Sequence, residues 1–507
     1  MSNVNHRRPG NASTPLVLAI DIGTSSLRTA LFDAQARRII QTTAQEKYPL
    51  RVTPDGGAEL DPQRLRRTFL RCLTRTLRSY RAERSVRSRR IMVVGTSCFW
   101  HSLLGTDERG RALTPIYTWA DSRCHADAAR LRKEFSERAI HARTGCMLRS
   151  SYWPAKLLWL RRTRPKLFAR VDRWMSPAEW LHLELCGEAG CSYAMASGTG
   201  LFNVSTLGWD GELLRRCRLS PRELNPLAEG PLLLSAHAQR EFPELRDALV
   251  FPPIGDGAAS NLGSGTTSTE LAALNFGTSA AVRVMRPAGR ARLRGIGRFG
   301  EARAPFGLFC YRVDAVRVLI GGAVSNAGNL RAWCLRELKL TNDPDALERA
   351  LAADSGVDHG LTVLPFWTSE RAPTWPEDLR GVIVGLTQAT SALDILRATQ
   401  EAVFQRLAQI AEQLPARRFV VSGGIQKSPA ALQLLADVLG RPLIVCSEPE
   451  ASLRGAAVFA LEKLGVAVPV PSAGRVIRPR WRFSRRYAVA RRRQVKLEKL
   501  ASSFVAT

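Results

Sequence analysis

A Gly-Thr-Ser turn between two apolar runs occurs twice in this chain, and the copies lie half of its 507 residues apart. The first is Leu18-Ala-Ile-Asp-Ile-Gly-Thr-Ser-Ser-Leu-Arg-Thr-Ala-Leu-Phe32, with Gly23, Thr24 and Ser25 at the turn. The second is Leu271-Ala-Ala-Leu-Asn-Phe-Gly-Thr-Ser-Ala-Ala-Val-Arg-Val284, with Gly277, Thr278 and Ser279. Self-similarity on that scale predicts two similar halves, each opening with the same hairpin. Apolar strands meeting at Gly-Thr-Ser expose backbone N–H groups and two hydroxyls with no bulky side chain in the way, which suits the close grip of a phosphate. One copy alone reads as an ordinary tight turn. Two facing each other would hold a nucleoside triphosphate in a cleft.

Ahead of the second hairpin, Gly255-Asp-Gly-Ala-Ala259 puts a lone carboxylate, Asp256, between two glycines. In the first hairpin Asp21 precedes the turn. A carboxylate there would hold Mg2+, an ion that binds through one or two carboxylates, phosphate oxygens and retained water; the alternative is turn capping. Arg28, just beyond, is a phosphate contact or a solvated strand end. Residues 62–80 have the apolar spacing of an amphipathic helix, and residues 91–95 read as a buried strand running into Thr96-Ser-Cys-Phe-Trp-His-Ser102. Strands followed by helices predict an α/β layer architecture, in which ligands bind beyond the carboxyl ends of strands. Trp100 and His101 lie there, an apolar ring beside a polar group, as sugar contacts or as structural residues. Trp119, Asp121 and Arg123 alternate, which on an extended segment would place all three on one side. A helix is expected after Pro154, another around Trp333, and a third over residues 429–439, entered from the strand that ends at Gly423-Gly424. Paired glycines let a flat heterocycle lie on the backbone. Residues 369–376 read as a polar loop.

Composition decides a few further points. The length and 45% hydrophobic content indicate two large domains. The net charge of +29 favours anionic ligands, but arginine is spread along the whole chain, so nucleic acid is not the expected partner. Ten cysteines without a Cys-x-x-Cys pair indicate neither a zinc site nor a disulfide framework, which fits a reducing cytoplasm. Residues 1–15 read as a disordered leader, and no apolar run approaches the ~18 residues that span a bilayer. Gly295-Ile-Gly-Arg-Phe-Gly300 matches G-x-G-x-x-G but follows a basic run with no strand signal, against a dinucleotide fold. The arginine-rich stretch 475–493, interleaved with Trp481, Phe483 and Tyr487, has the composition of a single-strand binder, yet reads better as a solvated tail or a terminal helix on the second domain.

Together these motifs resemble the FGGY-type carbohydrate kinases of the sugar kinase, actin and heat-shock ATPase superfamily, over residues 16–464. Asp21-Ile-Gly-Thr-Ser is similar to that family's first phosphate motif, Asn275-Phe-Gly-Thr-Ser to its second, Val421-Ser-Gly-Gly to its adenosine motif, and Gly255-Asp-Gly-Ala-Ala to its catalytic-base loop. Residues 152–160 and 423–443 resemble its two signatures, with Arg161-Arg162 departing where acidic or amide residues are usual. Trp100-His101 is similar to the Met-His pair of the family's xylulokinases, whereas Phe99-Trp-His-Ser-Leu-Leu104, Trp119-Ala-Asp-Ser-Arg, Ser151-Tyr-Trp-Pro-Ala-Lys-Leu-Leu-Trp-Leu160 and Gly322-Ala-Val-Ser-Asn-Ala-Gly-Asn look most like its gluconokinases.

The resemblance implies an α/β fold of two similar actin-like (ribonuclease H-like) domains flanking a catalytic cleft. The N-terminal domain would span residues 16–256, the C-terminal domain 257–464, and a basic tail 465–507. It implies ATP as co-substrate with Mg2+ near Asp21, and Asp256 as general base. Gly23, Thr24, Ser25, Arg28, Gly277, Thr278 and Ser279 would lie at the phosphates, and Gly322, Gly423, Gly424 and Ser428 at the adenosine. Trp100, His101, Trp119, Asp121 and Arg123 would meet the sugar. The expected activity is phosphorylation of a small sugar or sugar acid, D-gluconate first, with Arg123 either holding its carboxylate or pairing with Asp121. A xylulokinase-like activity, or a nucleotide sensor without turnover, are the alternatives. Closure about a hinge near residues 256–270 is expected, and a homodimer is left open.

Overall fold

The computed structural model describes residues 15–289, 302–353 and 358–505. The leader, apart from Pro15, and the Gly295–Gly300 motif lie outside the described residues. The first half is built on β1 (Leu16–Ile22), β2 (Ser26–Phe32), β3 (Arg38–Lys47), β4 (Ile91–Cys98), β5 (Leu249–Val250) and β6 (Ile254–Gly255), ordered β5-β4-β1-β2-β3 with β6 also paired to β4. The second is built on β7 (Leu271–Phe276), β8 (Ala280–Pro287), β9 (Phe309–Arg312), β10 (Arg317–Val324), β11 (Arg418–Gly423), β12 (Leu443–Val445) and β13 (Val476–Ile477), ordered β9-β10-β8-β7-β11-β12-β13.

The two sheets repeat one plan. The first strand of each hairpin pairs antiparallel with the second and parallel with a later strand: β1 with β2 and β4, β7 with β8 and β11. Every residue of β1 is buried, which is why that strand reads as a continuous apolar run rather than as an alternation.

Helices cover these sheets. In α1 (Pro62–Ala82), Asp61 caps the N-terminus by accepting from the Gln63 amide, and Leu65, Phe69, Cys72, Leu73 and Leu77 form the buried stripe against β2 and β3. Trp153–Thr163 is α2 and Asp256–Gly263 is α3. Gly328–Glu337 is α4, Ala392–Ala411 α5 and Pro429–Leu439 α6. Ala451–Lys463 is α7.

Helix α7 follows β12 in sequence but packs on β1, β4 and α3 of the first half. Glycine makes that contact: a Cβ on Gly95 of β4 would lie 2.2 Å from the Ala456 carbonyl oxygen, and one on Gly455 would lie 1.7 Å from that of Ala259. Arg454 locks the crossing, donating to the carbonyls of Ala36 (3.1 Å), Gly263 (2.7 Å) and Pro469 (2.9 Å). The α3–α7 pair is thus the junction of the halves, and α3 begins at Asp256 itself.

The basic C-terminal stretch forms α8 (Trp481–Val505). It lies on α5, α6 and the Thr362–Leu364 strand, with Phe483 and Tyr487 buried and Gln494 Nε2 donating to the carbonyls of Val363 and Ala402. Those two aromatics are core residues, so they offer no stacking platform. No helix among the described residues is long and apolar enough to cross a membrane.

Candidate active site

Each hairpin turn is closed by its glycine amide, on the residue three positions ahead in the first and two ahead in the second. The Gly23 amide donates to Ser26 O and the Gly277 amide to Ser279 O, each at 2.9 Å. Two residues before each turn glycine stands a short polar side chain facing a serine on the parallel neighbour. Asp21 is registered with Ser97 on β4, and Asn275 with Ser422 on β11, where Asn275 Nδ2 donates to Ser422 Oγ at 3.0 Å. The repeat therefore keeps the shape and changes the charge, so that only the first hairpin carries a carboxylate. Burial pushes the Asp21 carboxyl up to about 6, with Arg28 and the Ser97 hydroxyl pulling it back and the charges of Asp256 and Glu450 adding to the rise. Arg28 lies 3.3 Å from both Asp21 and Glu450, which binds it into an ion triad.

Between the hairpins lies a cavity of about 210 Å3 that contains Asp256, Trp100, His101, Trp119, Thr24 and Ser279. Asp256 is the first residue of α3, and its Oδ1 accepts from the Gly257 amide at 2.8 Å. The two glycines around it are required by Trp100. A Cβ on Gly255 would meet the indole at 1.8 Å and one on Gly257 at 2.6 Å, so the ring packs directly against the backbone on both sides of Asp256. Trp100 Nε1 donates to Ala194 O at 2.9 Å, which holds the ring there.

His101 follows in the left-handed region (φ 67°), a conformation that a non-glycine residue keeps only when its surroundings impose it. Its Nδ1 lies 2.5 Å from Gly198 O, so Nδ1 carries the proton and Nε2 is an acceptor. Burial lowers its pKa to about 3, and the imidazole is neutral. Trp119 Nε1 donates to Thr24 Oγ1 at 3.2 Å, and the Arg371 guanidinium lies over the Trp119 ring at 4.8 Å, so this indole joins the first hairpin to the second half.

A second cavity, of about 810 Å3, opens on the far side of the second hairpin and is lined by Gly277, Thr278, Gly328, Gly424, Ser428 and Glu348, among others. One turn thus touches both cavities, Gly277 and Thr278 facing the larger and Ser279 the smaller. Ser428 caps α6 by accepting from the Ala431 amide and donates to Glu348 at 2.9 Å. Gly423, at φ 93°, is the bend that admits this geometry: a Cβ there would lie 2.4 Å from Phe276 O.

Several expected contacts fall elsewhere. Past the short Ile116–Tyr117 strand the chain turns, so the alternation of Trp119, Asp121 and Arg123 does not place them on one side. Trp119 faces the cavity, whereas Arg123 is held by Asp121 and by Glu59 Oε1 (2.5 Å), and Asp121 Oδ2 accepts from the Ala58 amide. Neither lines the cavity. Gly322 lies inside β10 opposite Val282, where Ala372 and Ile410 crowd its Cα, so it is a packing glycine and not part of the larger cavity. Of this segment's glycines it is Gly328 that lines the larger cavity, its amide donating to Gly277 O at 3.0 Å. Of the first turn only Thr24 lines the smaller cavity; Gly23 and Ser25 are tied to Tyr48 instead, its hydroxyl donating to Gly23 O and its amide to Ser25 O.

Sequence reasoning missed Arg283, Arg371 and the pair Tyr152–Tyr311, all of which line the smaller cavity. The tyrosine hydroxyls meet at 2.7 Å across the two halves. Arg283 had a signal, being an arginine inside the buried apolar stretch Val282–Met285 of β8. Arg371 stands in what read as a polar loop, and nothing local marks it.

The chain matches the FGGY family of carbohydrate kinases, its N-terminal domain over residues 16–239 and its C-terminal domain over residues 272–463. It is 27% identical to a gluconokinase of Bacillus subtilis (strain 168) over 476 residues, covering 89% of this chain and 88% of that one. It is 25% identical to a xylulose kinase of Escherichia coli (strain K12) over 439 residues, covering 84% and 86%. Among solved structures, the gluconate kinase of Lactobacillus acidophilus superposes with a TM-score of 0.86 at 24% identity, over 97% of this chain and 99% of that one. Plasmodium falciparum glycerol kinase with ADP superposes with a TM-score of 0.81 at 19% identity, over 95% and 98%. With both domains of the family matched in order along one chain, the protein belongs to the FGGY family of carbohydrate kinases and is an ATP-dependent phosphotransferase whose acceptor is an alcohol group.

Proposed function

We propose that this enzyme phosphorylates a sugar acid, D-gluconate, to 6-phosphogluconate. The observation that carries this reading is the charge of the smaller cavity, which is lined by two guanidinium groups, the buried Arg283 and the half-buried Arg371, and by one carboxylate, Asp256, beside a neutral His101. A neutral polyol leaves that positive excess uncompensated, and an anion offsets it. The gluconokinase relatives support the same choice.

Asp256 takes the proton of the terminal hydroxyl as its oxygen forms the bond to the γ-phosphorus and the bond to the β-phosphate oxygen breaks, releasing ADP. Thr24 and Ser279 approach the transferred group from the two halves, Gly277 and Thr278 the remaining phosphates, and Gly424 and Ser428 flank the adenosine. Asp21 fits a role in holding Mg2+, since it is one buried carboxylate next to the phosphate turns and that ion takes its remaining ligands from phosphate and water. When bound, the ion would neutralise phosphate charge.

A coupled ADP-release assay over D-gluconate, D-xylulose, D-ribulose and glycerol tests the substrate. Gluconate is expected to give the highest kcat/KM, and a markedly higher value for xylulose or glycerol would overturn the sugar-acid reading.

The pH profile carries a second expectation. Burial pushes the Asp256 carboxyl upward, and Arg283, the Gly257 amide and Arg371 oppose this. Asp21 and Cys98 also sense its charge. A base must be ionised to accept a proton, so kcat/KM is expected to fall on the acid side at a pH above the ordinary aspartate range. Removing a neighbouring cation disfavours the carboxylate, and Arg283→Gln should move that limb to still higher pH. A limb at the same pH in both proteins would show that Arg283 does not act on the base.

A further inference from the structure

We propose that Arg283 is the residue that holds the substrate's carboxylate and thereby sets the preference for an acid over a neutral sugar; this rests on the sugar-acid reading above. Of the arginines near the site, Arg123 is consumed by Asp121 and Glu59. Arg371 is anchored as well: its Nε donates to Ser325 Oγ at 3.1 Å, its Nη2 to Val324 O at 3.1 Å, and its plane rests on Trp119. Arg283 differs from both. It is 8% exposed, and its Nη1 is sealed from solvent with no hydrogen-bond partner among the described residues. Arg283 senses the charge of Asp256, but a buried guanidinium N–H left without an acceptor is costly, and in a ligand cavity an anionic ligand can supply the acceptor.

The surroundings make room for this side chain. Arg283 stands at the middle of β8 opposite Gly321, where a Cβ would lie 3.0 Å from its Cα and from its Cγ. Its head passes Gly257, where a Cβ would lie 3.1 Å from Nη1. Glycines on both sides thus bring the guanidinium alongside the base's turn. Ser279, which meets the phosphates, is four residues earlier, just before β8, or ~13 Å of chain at ~3.3 Å per residue. One strand then reads both ends of the substrate, phosphoryl at its start and carboxylate further along. Arg283 presents a planar fork that matches a carboxylate with two parallel hydrogen bonds, which lysine cannot reproduce.

The test compares wild type, Arg283→Gln and Arg283→Lys on D-gluconate and on D-glucitol, the neutral chain of the same length. In both variants kcat/KM for gluconate is expected to fall, by about 100-fold in Arg283→Gln, chiefly through KM, and the gluconate-to-glucitol ratio to collapse. Arg283→Lys should recover only part of that ratio. Equal losses on both substrates, carried by kcat, would mean that the guanidinium serves the transferred phosphoryl group, and would overturn the assignment while leaving the sugar-acid reading intact. Wild-type enzyme that favours glucitol over gluconate would overturn the sugar-acid reading itself. Stabilisation of each variant against heat by a non-hydrolysable ATP analogue identifies folded protein; a variant that lacks it is replaced by Arg283→Met, for which the same collapse of the ratio is required.

Discussion

Asp256→Asn is expected to lower kcat by about 10³-fold, within the ~10²–10⁴ range of a positioned proton acceptor. Asparagine keeps the size of the side chain and its oxygen can still accept from the Gly257 amide, which stands 2.8 Å from Oδ1 in the present structure. What it loses is the basic lone pair, since an amide does not take up a proton near neutral pH. Because Asp256 lies in the smaller cavity and the nucleotide is assigned to the larger one beyond the second hairpin, the dissociation constant of a non-hydrolysable ATP analogue should change less than about threefold, under ~0.7 kcal/mol. Single-turnover assays and calorimetric titration separate the two quantities. A variant that retains a tenth of wild-type kcat would remove Asp256 from the chemistry.

The second large effect is on stability. Gly455→Ala should destabilise the protein by about 2 kcal/mol or more, even though alanine is favoured over glycine in a helix by about 1 kcal/mol. The clash decides the sign. The added methyl would stand 1.7 Å from the Ala259 carbonyl oxygen, which belongs to the backbone of α3 and has no rotamer to escape into. Gly263→Ala, with its methyl 1.8 Å from Ala451 O, should behave likewise from the other side of the crossing. Since α3 opens with Asp256, the surviving folded fraction should also show reduced kcat. Gly211→Ala, where nothing lies within 4 Å of the new methyl, is the matched control and should leave the unfolding midpoint nearly unchanged. Urea midpoints compared under one protocol suffice. A Gly455→Ala protein as stable as wild type would show that the helices can part at no cost and that the close crossing is dispensable.

Much of this molecule was legible in its residues because the cause is local. A Gly-Thr-Ser turn between apolar runs specifies a hairpin whatever surrounds it, and its repetition half a chain later implied the second sheet. Gly-Asp-Gly marked the carboxylate, but not that it opens helix α3 or that Trp100 covers both glycines. The starts of α1 and α6 were met at Pro62 and Pro429, where the structure shows Asp61 and Ser428 capping a proline at the first helical position, while α1 runs two residues past the expected end at residue 80. Other properties depended on partners distant in sequence. Whether Arg123 or Arg283 is available to a ligand is decided by Glu59 and Asp121, which bond to the first, and by the lack of any hydrogen-bond acceptor for Nη1 of the second among the described residues. Gly322 and Gly328 look equivalent along the chain, yet Ile410 and Ala372 close over the first while the second starts a helix beside the second Gly-Thr-Ser turn. The reason is physical: backbone turns and caps are settled by a few neighbouring residues, whereas the state of a charge is settled by whatever the fold places within about 4 Å of it, and only the tertiary structure makes that choice.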